Sequence, residues 1–580
     1  MSSSQAQGAQ ALTPTPFPQG EGLNSTVLGF TRRILELPST GQVAGAALLA
    51  LGLWLTVGPV QADPPKPEAA SQEAAQPQFD LLEIRVDGNS VLETGEIEKT
   101  VYPFLGPGKT IDTVEEARQA LEAKYRERGY QSVIVEIPEQ DVVEGGVFLK
   151  VVEGTIERLK VTGSRYYSLG KIREGVPALA EGQVPNMAKV QEQVGELAKQ
   201  SGDRSITPVF RAGTTPGKME VELKVKDELP LHGSVEMNGR NTENTTRSRL
   251  SASLRYDNLW QRFHSASLSY QVSPENFDEV EVWSGTYVMP TGIADTRLAM
   301  YGIGIASNTQ LGASVGGLSV IGTGYIFGAR LVKPLGSVDN FYHSLSFGFD
   351  YKDFNQGLSL VGQDTQQTPI TYVPFQIGYD ASLRGDGWVT TASTAAHFSI
   401  RGLGNDQNEF DDGEGGGKRF GSRSNFFFFT GDLKHQQQLP YDAQMTLRAG
   451  GQVTDSPLIS NEQFAVGGPG TVRGYHQTQQ LGDHGVNLSM ELASPHLLPA
   501  EWEAAQNLRA LVFFDWAYLW IKSALPGQAS HYQLAAPGAG LRLRMLKHLV
   551  GELDWAYPLY RQGTVDPGNQ RVDFRLAYEF

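Results

Sequence analysis

Between Leu231 and Phe580 the sequence keeps returning to one pattern, strand-length runs in which every second residue is apolar. Leu250, Ala252, Leu254 and Tyr256 oppose Ser251, Ser253 and Arg255, and Ala266, Leu268, Tyr270 and Val272 oppose Ser265, Ser267, Ser269 and Gln271. Later, Leu345, Phe347, Phe349 and Tyr351 oppose Ser344, Ser346, Gly348 and Asp350; near the end, Leu541, Leu543 and Met545 oppose Arg542 and Arg544. Successive side chains of a strand point to opposite faces, so each run has one apolar face and one small or polar face. No candidate helix covers either. The apolar face must then pack on a second sheet, as in a sandwich, or meet lipid, as in a membrane barrel.

The pattern favours lipid. Many runs approach the roughly 9–11 residues that cross a bilayer. Short connections such as Leu439-Pro440-Tyr441-Asp442 alternate with longer ones such as Arg401–Ser424, the habit of periplasmic turns and extracellular loops. The mean hydropathy of −0.29 fits strands whose two faces average out. Counting runs predicts an antiparallel transmembrane β-barrel of about sixteen strands over 229–580, an even number as bacterial barrels have. The last run, Phe574 to Phe580, alternates and ends on an aromatic, resembling the sorting signature of bacterial outer-membrane barrels, with Phe580 as its key residue.

The chain also reads as exported. Arg32 and Arg33 precede an apolar run, Val43 to Val60, that closes on Val60-Gln61-Ala62, so 1–62 is expected to be a cleaved signal peptide. An anchoring helix is the alternative, disfavoured by Gly45, Gly52, Gly58 and Pro59 within the run. Removing 1–62 takes away Arg32, Arg33, Glu21 and Glu36, so the net charge of −16 belongs to the mature chain. That balance argues against nucleic acid, whose backbone demands a basic face. Cysteine is absent, which excludes disulfides and thiolate metal sites. Residues 63–79, rich in proline, alanine and glutamine, read as a linker.

From Leu82 the period changes. Leu82, Ile84 and Val86 alternate with Glu83, Arg85 and Asp87 before Gly88-Asn89. Thr113 and Glu116 are expected to form a capping box for a helix carrying Val114, Ala117, Leu121 and Tyr125, ended by Gly129. Strands follow at Val133–Ile137 and Val147–Val152. The order repeats with a strand at Leu159–Val161, helices at Lys171–Val176 and Val190–Lys199, and strands at Ile206–Phe210 and Met219–Val225. Gly106-Pro107-Gly108-Lys109-Thr110 mimics the end of a phosphate-binding loop, but Pro103 stands where its first glycine is required, so an interhelical turn is expected and no nucleotide.

The two units resemble POTRA (polypeptide-transport-associated) domains, through Tyr125-Arg126-Glu127-Arg128-Gly129-Tyr130 and Val151-Val152-Glu153-Gly154. The expected bounds are 80–154 and 155–228. The resemblance implies periplasmic sheets whose open edges add a client strand, with Val133, Val135, Ile206 and Val209 as candidates; spacers are the alternative.

One loop stands apart, Gly467-Gly468-Pro469-Gly470-Thr471-Val472-Arg473-Gly474-Tyr475, within an inserted loop expected at 460–482. So much glycine and proline forbids regular structure, and the one charge, Arg473, needs a fixed carboxylate if the loop enters a confined space. An ordinary solvated loop is the alternative. By the strand count the loop lies between strands eleven and twelve. In strand thirteen, Phe514, Trp516, Tyr518 and Trp520 share the lipid-facing parity, which turns Asp515 and Ala517 to the lumen. Asp515 is the expected partner, in a pair that locks the loop inside the barrel, and Glu491 in strand twelve is a second candidate.

Val472-Arg473-Gly474-Tyr475 and Phe513-Phe514-Asp515, with two POTRA units, resemble the two-partner secretion transporters of the outer membrane, the TpsB type that exports hemolysins and filamentous hemagglutinins. The strand motif departs at Ala517, where that family usually has glycine. The resemblance implies a monomeric pore, inserted by the barrel assembly machinery, that takes one large unfolded exoprotein from the periplasm to the cell surface. An assembly factor of the same superfamily is the alternative, disfavoured by having only two POTRA units; a passive solute porin is the alternative from another class. No H-E-x-x-H, G-x-S-x-G or Walker sequence occurs, the histidines show no ligand spacing, and Asp406–Glu414 lacks the order of a calcium loop. No catalysis, metal or cofactor is expected.

Overall fold

The computed structural model describes residues 77–580 apart from 244, 294, 307–311, 316–317, 322, 339, 359–365, 412–416 and 500–504. The expected signal peptide, and the expected linker up to residue 76, lie outside the described residues. The described residues divide along the chain into two compact units, one up to Asp227 and one from Glu228.

The first unit holds two α/β modules. In the first, β1 (Phe79–Leu81), β2 (Glu83–Asp87), α1 (Thr94–Val101), β3 (Gly106–Lys109), α2 (Ile111–Glu127), β4 (Val133–Glu136) and β5 (Gly146–Glu153) follow in order. The sheet runs β2-β5-β4, with β2 parallel to β5, and β4 lies at an edge. Val114, Ala117, Leu121 and Tyr125 of α2 are all fully buried against this sheet. Each such side chain contributes roughly 1.5–3 kcal/mol of burial free energy, less for alanine. Gly129, at φ +91, ends α2, and the Gly129 and Tyr130 amides donate back to the Arg126 and Tyr125 carbonyls at 3.0 and 2.9 Å.

Two expectations need correction here. The helix begins at Ile111 with Thr110 in the N-cap position, so Thr113 and Glu116 lie inside it and form no capping box. The Gly106–Lys109 segment is more than a turn, because it is a short strand paired with β1.

The second module repeats the plan with β6 (Thr155–Thr162), α3 (Leu169–Glu174), α4 (Met187–Lys199), β7 (Arg204–Ala212) and β8 (Lys218–Asp227), in sheet order β6-β8-β7. The repeat extends to one structural device. Gly88 and Gly163 both take φ near +90 (+87 and +88), and a side chain on either would run into the carbonyl of Val151 or Val225. Two residues beyond those valines, Glu153 and Asp227 receive the amides of the same turns. Ser90 and Val91 donate to Glu153 at 2.7 and 3.2 Å, and Arg165 and Tyr166 donate to Asp227 at 2.9 and 3.0 Å.

The second unit is a closed barrel of sixteen strands. Its wall begins with β9 (Leu231–Asn238), β10 (Arg249–Leu259), β11 (His264–Val272), β12 (Glu281–Pro290) and β13 (Arg297–Ala306). A separate hairpin follows, β14 (Gly312–Val315) with β15 (Leu318–Ile321). The wall resumes with β16 (Gly324–Val338), β17 (Phe341–Leu358), β18 (Gln366–Gly385), β19 (Trp388–Gly404), β20 (Phe427–Gln438) and β21 (Gln444–Thr454). Inside the next connection, β22 (Phe464–Val466) pairs with β23 (Gln480–Gly482). The wall ends with β24 (His484–Ala493), β25 (Ala505–Trp520), β26 (His531–Met545), β27 (Leu549–Ala556) and β28 (Arg571–Glu579), which closes on β9.

Alternation governs the wall. Phe347, Phe349 and Tyr351 are exposed on the outside, while Ser346, Asp350 and Lys352 of the same strand are buried inside. The inner face is not uniformly small or polar, however. Towards the end bearing the long connections, Val282, Ile303, Ile305, Ile326, Phe354 and Ile370 form an apolar cluster inside the barrel. Loop residues fill that stretch, so an apolar lining there stays dry.

Candidate functional site

The connection from β21 to β24 does not leave the barrel. Its limbs pair as β22 and β23, and its tip, 467–479, is shaped by Gly467, Gly468 and Gly474 at φ +113, +88 and +90. The Gly467 amide donates to the Thr471 hydroxyl at 2.8 Å, tightening the turn. At Gly474 a methyl would press on Ala556 and Pro558, at 3.1 and 3.3 Å, so the backbone passes close to the wall. Val472 and Tyr475 flank the arginine and are completely buried. The Tyr475 hydroxyl donates to the Tyr560 carbonyl at 2.9 Å and receives the Tyr560 amide at 3.1 Å.

Arg473 therefore reaches the wall in one orientation. Its Nε and Nη2 donate to the two carboxylate oxygens of Asp515 at 2.7 and 2.9 Å, and its own amide adds a third contact to Asp515 at 3.1 Å. Nη1 donates to Glu491 at 2.9 Å and lies 3.8 Å from Asp554. The guanidinium carbon sits 3.3 Å from the centroid of the Phe513 ring, so one aromatic face covers the cation while its edges donate. Ser489 donates to Asp515 at 2.7 Å, and Arg542 holds Asp554 through both Nη atoms at 2.8 and 3.0 Å. Two cations and three carboxylates thus share a nearly dry site, with Arg473 at 3% exposure and Asp515 at 1%.

The structure brings Arg473, Asp515 and Glu491 together and buries Val472, Gly474 and Tyr475 around them. Ala517 is fully buried in the same cluster. Asp554, Arg542, Ser489 and the Phe513 ring were not foreseen. Parity alone put Arg542 on the polar face, but only the register Gly540↔Asp554 aligns it with this site.

A second carboxylate braces the return limb. Asp483, fully buried, accepts both Nη atoms of Arg419 at 2.5 and 2.6 Å, the Leu458 amide at 2.9 Å and the Lys522 amide at 2.7 Å. It joins the loop to two neighbouring connections.

The proposed client residues sit differently from what their strands suggest. β4 and β7 are edge strands. The side chains of Val133, Val135 and Ile206, though, point into the cores and are buried, and Val209 is half-buried. Arg118 also occupies the Val135 carbonyl at 3.1 Å. What these strands offer outward is backbone, with side chains such as Ile134 and Thr207. Between the two modules lies a cleft of about 540 Å³ lined by Ser90, Tyr130, Thr155, Gln183, Asn186 and Lys189. The Met187 amide donates to the Gly129 carbonyl across it at 2.8 Å. Phe580 takes part in barrel closure: its amide and carbonyl exchange hydrogen bonds with Gly233, both at 2.9 Å, and its ring covers the face where Gly233 lacks a side chain.

The family described as haemolysin secretion/activation protein ShlB/FhaC/HecB matches residues 217–543, and the POTRA domain of ShlB type matches residues 79–154. The outer membrane transporter CdiB of Dickeya dadantii is 22% identical over 539 residues, covering 89% of each chain. The heme/hemopexin transporter protein HuxB of Haemophilus influenzae is 22% identical over 484 residues, covering 80% of each. Among solved structures, CdiB from Escherichia coli superposes with a TM-score of 0.59 at 20% identity, over 89% of this chain and 93% of that one. That likeness establishes the fold.

Proposed function

The chain belongs to the haemolysin secretion/activation family of ShlB, FhaC and HecB, and from that premise we propose how its barrel is kept shut and how it passes a client. It is an outer-membrane transporter of two-partner secretion, a sixteen-stranded barrel with periplasmic POTRA domains, and its partner is a large secreted protein.

The proposal concerns the loop. Arg473, held by Asp515 with Glu491 beside it and flanked by Val472, Gly474 and Tyr475, locks the inserted loop inside the lumen. The observation that carries this is the bidentate Arg473–Asp515 pair, buried inside a barrel wide enough for an aqueous channel only when the loop is elsewhere. An unfolded client adds to the backbone edges of β4 and β7, enters the lumen and displaces the loop. With no nucleotide motif in the sequence, folding of the client outside supplies the drive, and the protein acts as a conduit rather than an enzyme.

Residues 1–62 direct export and the segment from 63 up to β1 links to POTRA units ending near 154 and 228, followed by the barrel at 229–580. Phe580 serves as the signal by which the barrel assembly machinery inserts a monomer. The deciding experiment deletes the gene and compares surface and medium polypeptides with those of the complemented strain. Loss of one large polypeptide supports the reading. Loss of many outer-membrane barrels would favour an assembly factor, and loss of solute uptake alone a porin.

A further inference from the structure

Besides the tip and the Asp483 brace, the inserted loop is gripped by the inner wall at one more place, with the charges of the tip reversed. In the descending limb, between β21 and β22, Ser460–Glu462 forms a single 3-10 turn that delivers Glu462 to the inner wall. Its Oε1 receives Lys352 Nζ of β17 at 2.7 Å and the Tyr372 hydroxyl of β18 at 2.5 Å. All three residues are at most 1% exposed. Lys352 Nζ also lies 4.0 Å from Asp350, which Arg330 of β16 holds at 2.9 Å. Just upstream, Leu458 and Ile459 join the apolar cluster of Ile326, Phe354, Ile370 and Tyr372.

At the tip the loop supplies the cation and the wall the carboxylates; in the descending limb the loop supplies the carboxylate and the wall the cation. The two grips lie in different sectors of the wall, β17 and β18 against β24, β25 and β27. Either wall grip alone would leave the part of the loop remote from it able to swing away. Together, on separate strands, they hold the descending limb as well as the tip. Each charge is buried, so neither tie can be half made: breaking it strands a charge unless water or another group replaces the partner.

We propose that Glu462 is a second latch of the inserted loop, and that it must leave Lys352 and Tyr372 before the lumen clears. This rests on the reading that the loop is displaced during secretion. It makes Glu462 a positioning residue for gating, acting through the loop that carries Arg473.

The test uses the full-length protein, whose sequence holds no cysteine. Lys352→Cys with Glu462→Cys, joined by a short reductant-cleavable bis-thiosulfonate spacer, ties the second latch. Arg473→Cys with Asp515→Cys, joined in the same way, ties the first. Each is compared with itself before and after reductant, reading export of the polypeptide that gene deletion removes. The expected result is that either tie stops export and reductant restores it. Export that continues with the 352–462 tie in place, while the 473–515 tie blocks it, overturns the second latch and leaves the loop reading standing. Export that continues under both ties overturns loop displacement itself. Independently, Glu462→Gln should raise spontaneous opening in planar bilayers by roughly ten- to a hundredfold, the factor carried by a charge-assisted hydrogen bond. Opening unchanged in Glu462→Gln also overturns the proposal.

Discussion

Arg473 meets both carboxylate oxygens of Asp515, through Nε at 2.7 Å and Nη2 at 2.9 Å, so the one cation of a glycine-rich tip is tied to the middle of β25. The pairing is directional, and only a guanidinium can make it while a third nitrogen faces Glu491. Removing the side chain leaves three carboxylates facing each other with Arg542 alone among them. Arg473→Ala is predicted to destabilise the barrel with its loop inserted by about 3–5 kcal/mol. Arg473→Lys keeps the charge but spans fewer acceptors and should lose about 1–3 kcal/mol. The temperature at which full-length protein loses its folded migration on gels measures both, and equal behaviour of the two variants would refute the bidentate account.

Gly474 tests the backbone beside that pair. At φ +90 any other residue is strained by about 1–2 kcal/mol, and a methyl also presses on Ala556 and Pro558. Gly474→Ala is therefore expected to loosen the tip with Arg473 intact, seen as a lower melting temperature and more frequent channel openings. A wild-type melting temperature would show that the close approach carries no weight.

Much of this site is legible in the sequence. Parity in Leu511–Trp520 turns Asp515 inward because Phe514 and Trp516 turn outward, and alternation over a 9–11 residue run leaves no other choice. The strand count was legible for the same reason. Asp554 was not, since Glu552 and Asp554 share the polar parity of β27 and only strand register, invisible in one sequence, selects between them. Lys352 extends the inward series Ser346, Gly348, Asp350, so its direction could be read. Its partner Glu462 sits in an irregular stretch without period, where nothing local points anywhere. In the α/β modules the alternation of Val133 and Val135 correctly marks a strand, but both side chains are buried and it is Ile134 between them that faces outward.

The repeated turn device makes the modules testable apart from the barrel. An added Cβ at Gly163 would lie 2.2 Å from the Val225 carbonyl oxygen, closer than any real contact. Gly163→Ala should open the 163–168 turn to limited proteolysis while the barrel still inserts and keeps its heat-modifiable migration. Unchanged protease resistance would contradict the tight approach.

Asp227 provides the pH dependence. Burial raises its pKa, but the Ser164 hydroxyl and the amides of Tyr166 and Arg165 outweigh that and hold it below the usual carboxylate value. A depressed folded pKa contributes stability that is present above roughly pH 4, the unfolded value, and is lost as pH falls through the folded pKa. Protection of the Arg165 and Tyr166 amides from hydrogen exchange, corrected for intrinsic rates, should hold above roughly pH 4 and fall as the pH is lowered further. In Asp227→Asn the protection should be low throughout and no longer respond to acid. A mutant that retained the acid response would assign it to another group.

The most direct test of the transport reading places a photo-crosslinking amino acid at Ile134 and at Thr207, outward-facing positions on the two edge strands, in native cells. Mass spectrometry of the adducts should return one large exported polypeptide, captured at both positions. A spectrum of many outer-membrane barrels instead would contradict dedicated secretion and assign the protein to barrel assembly.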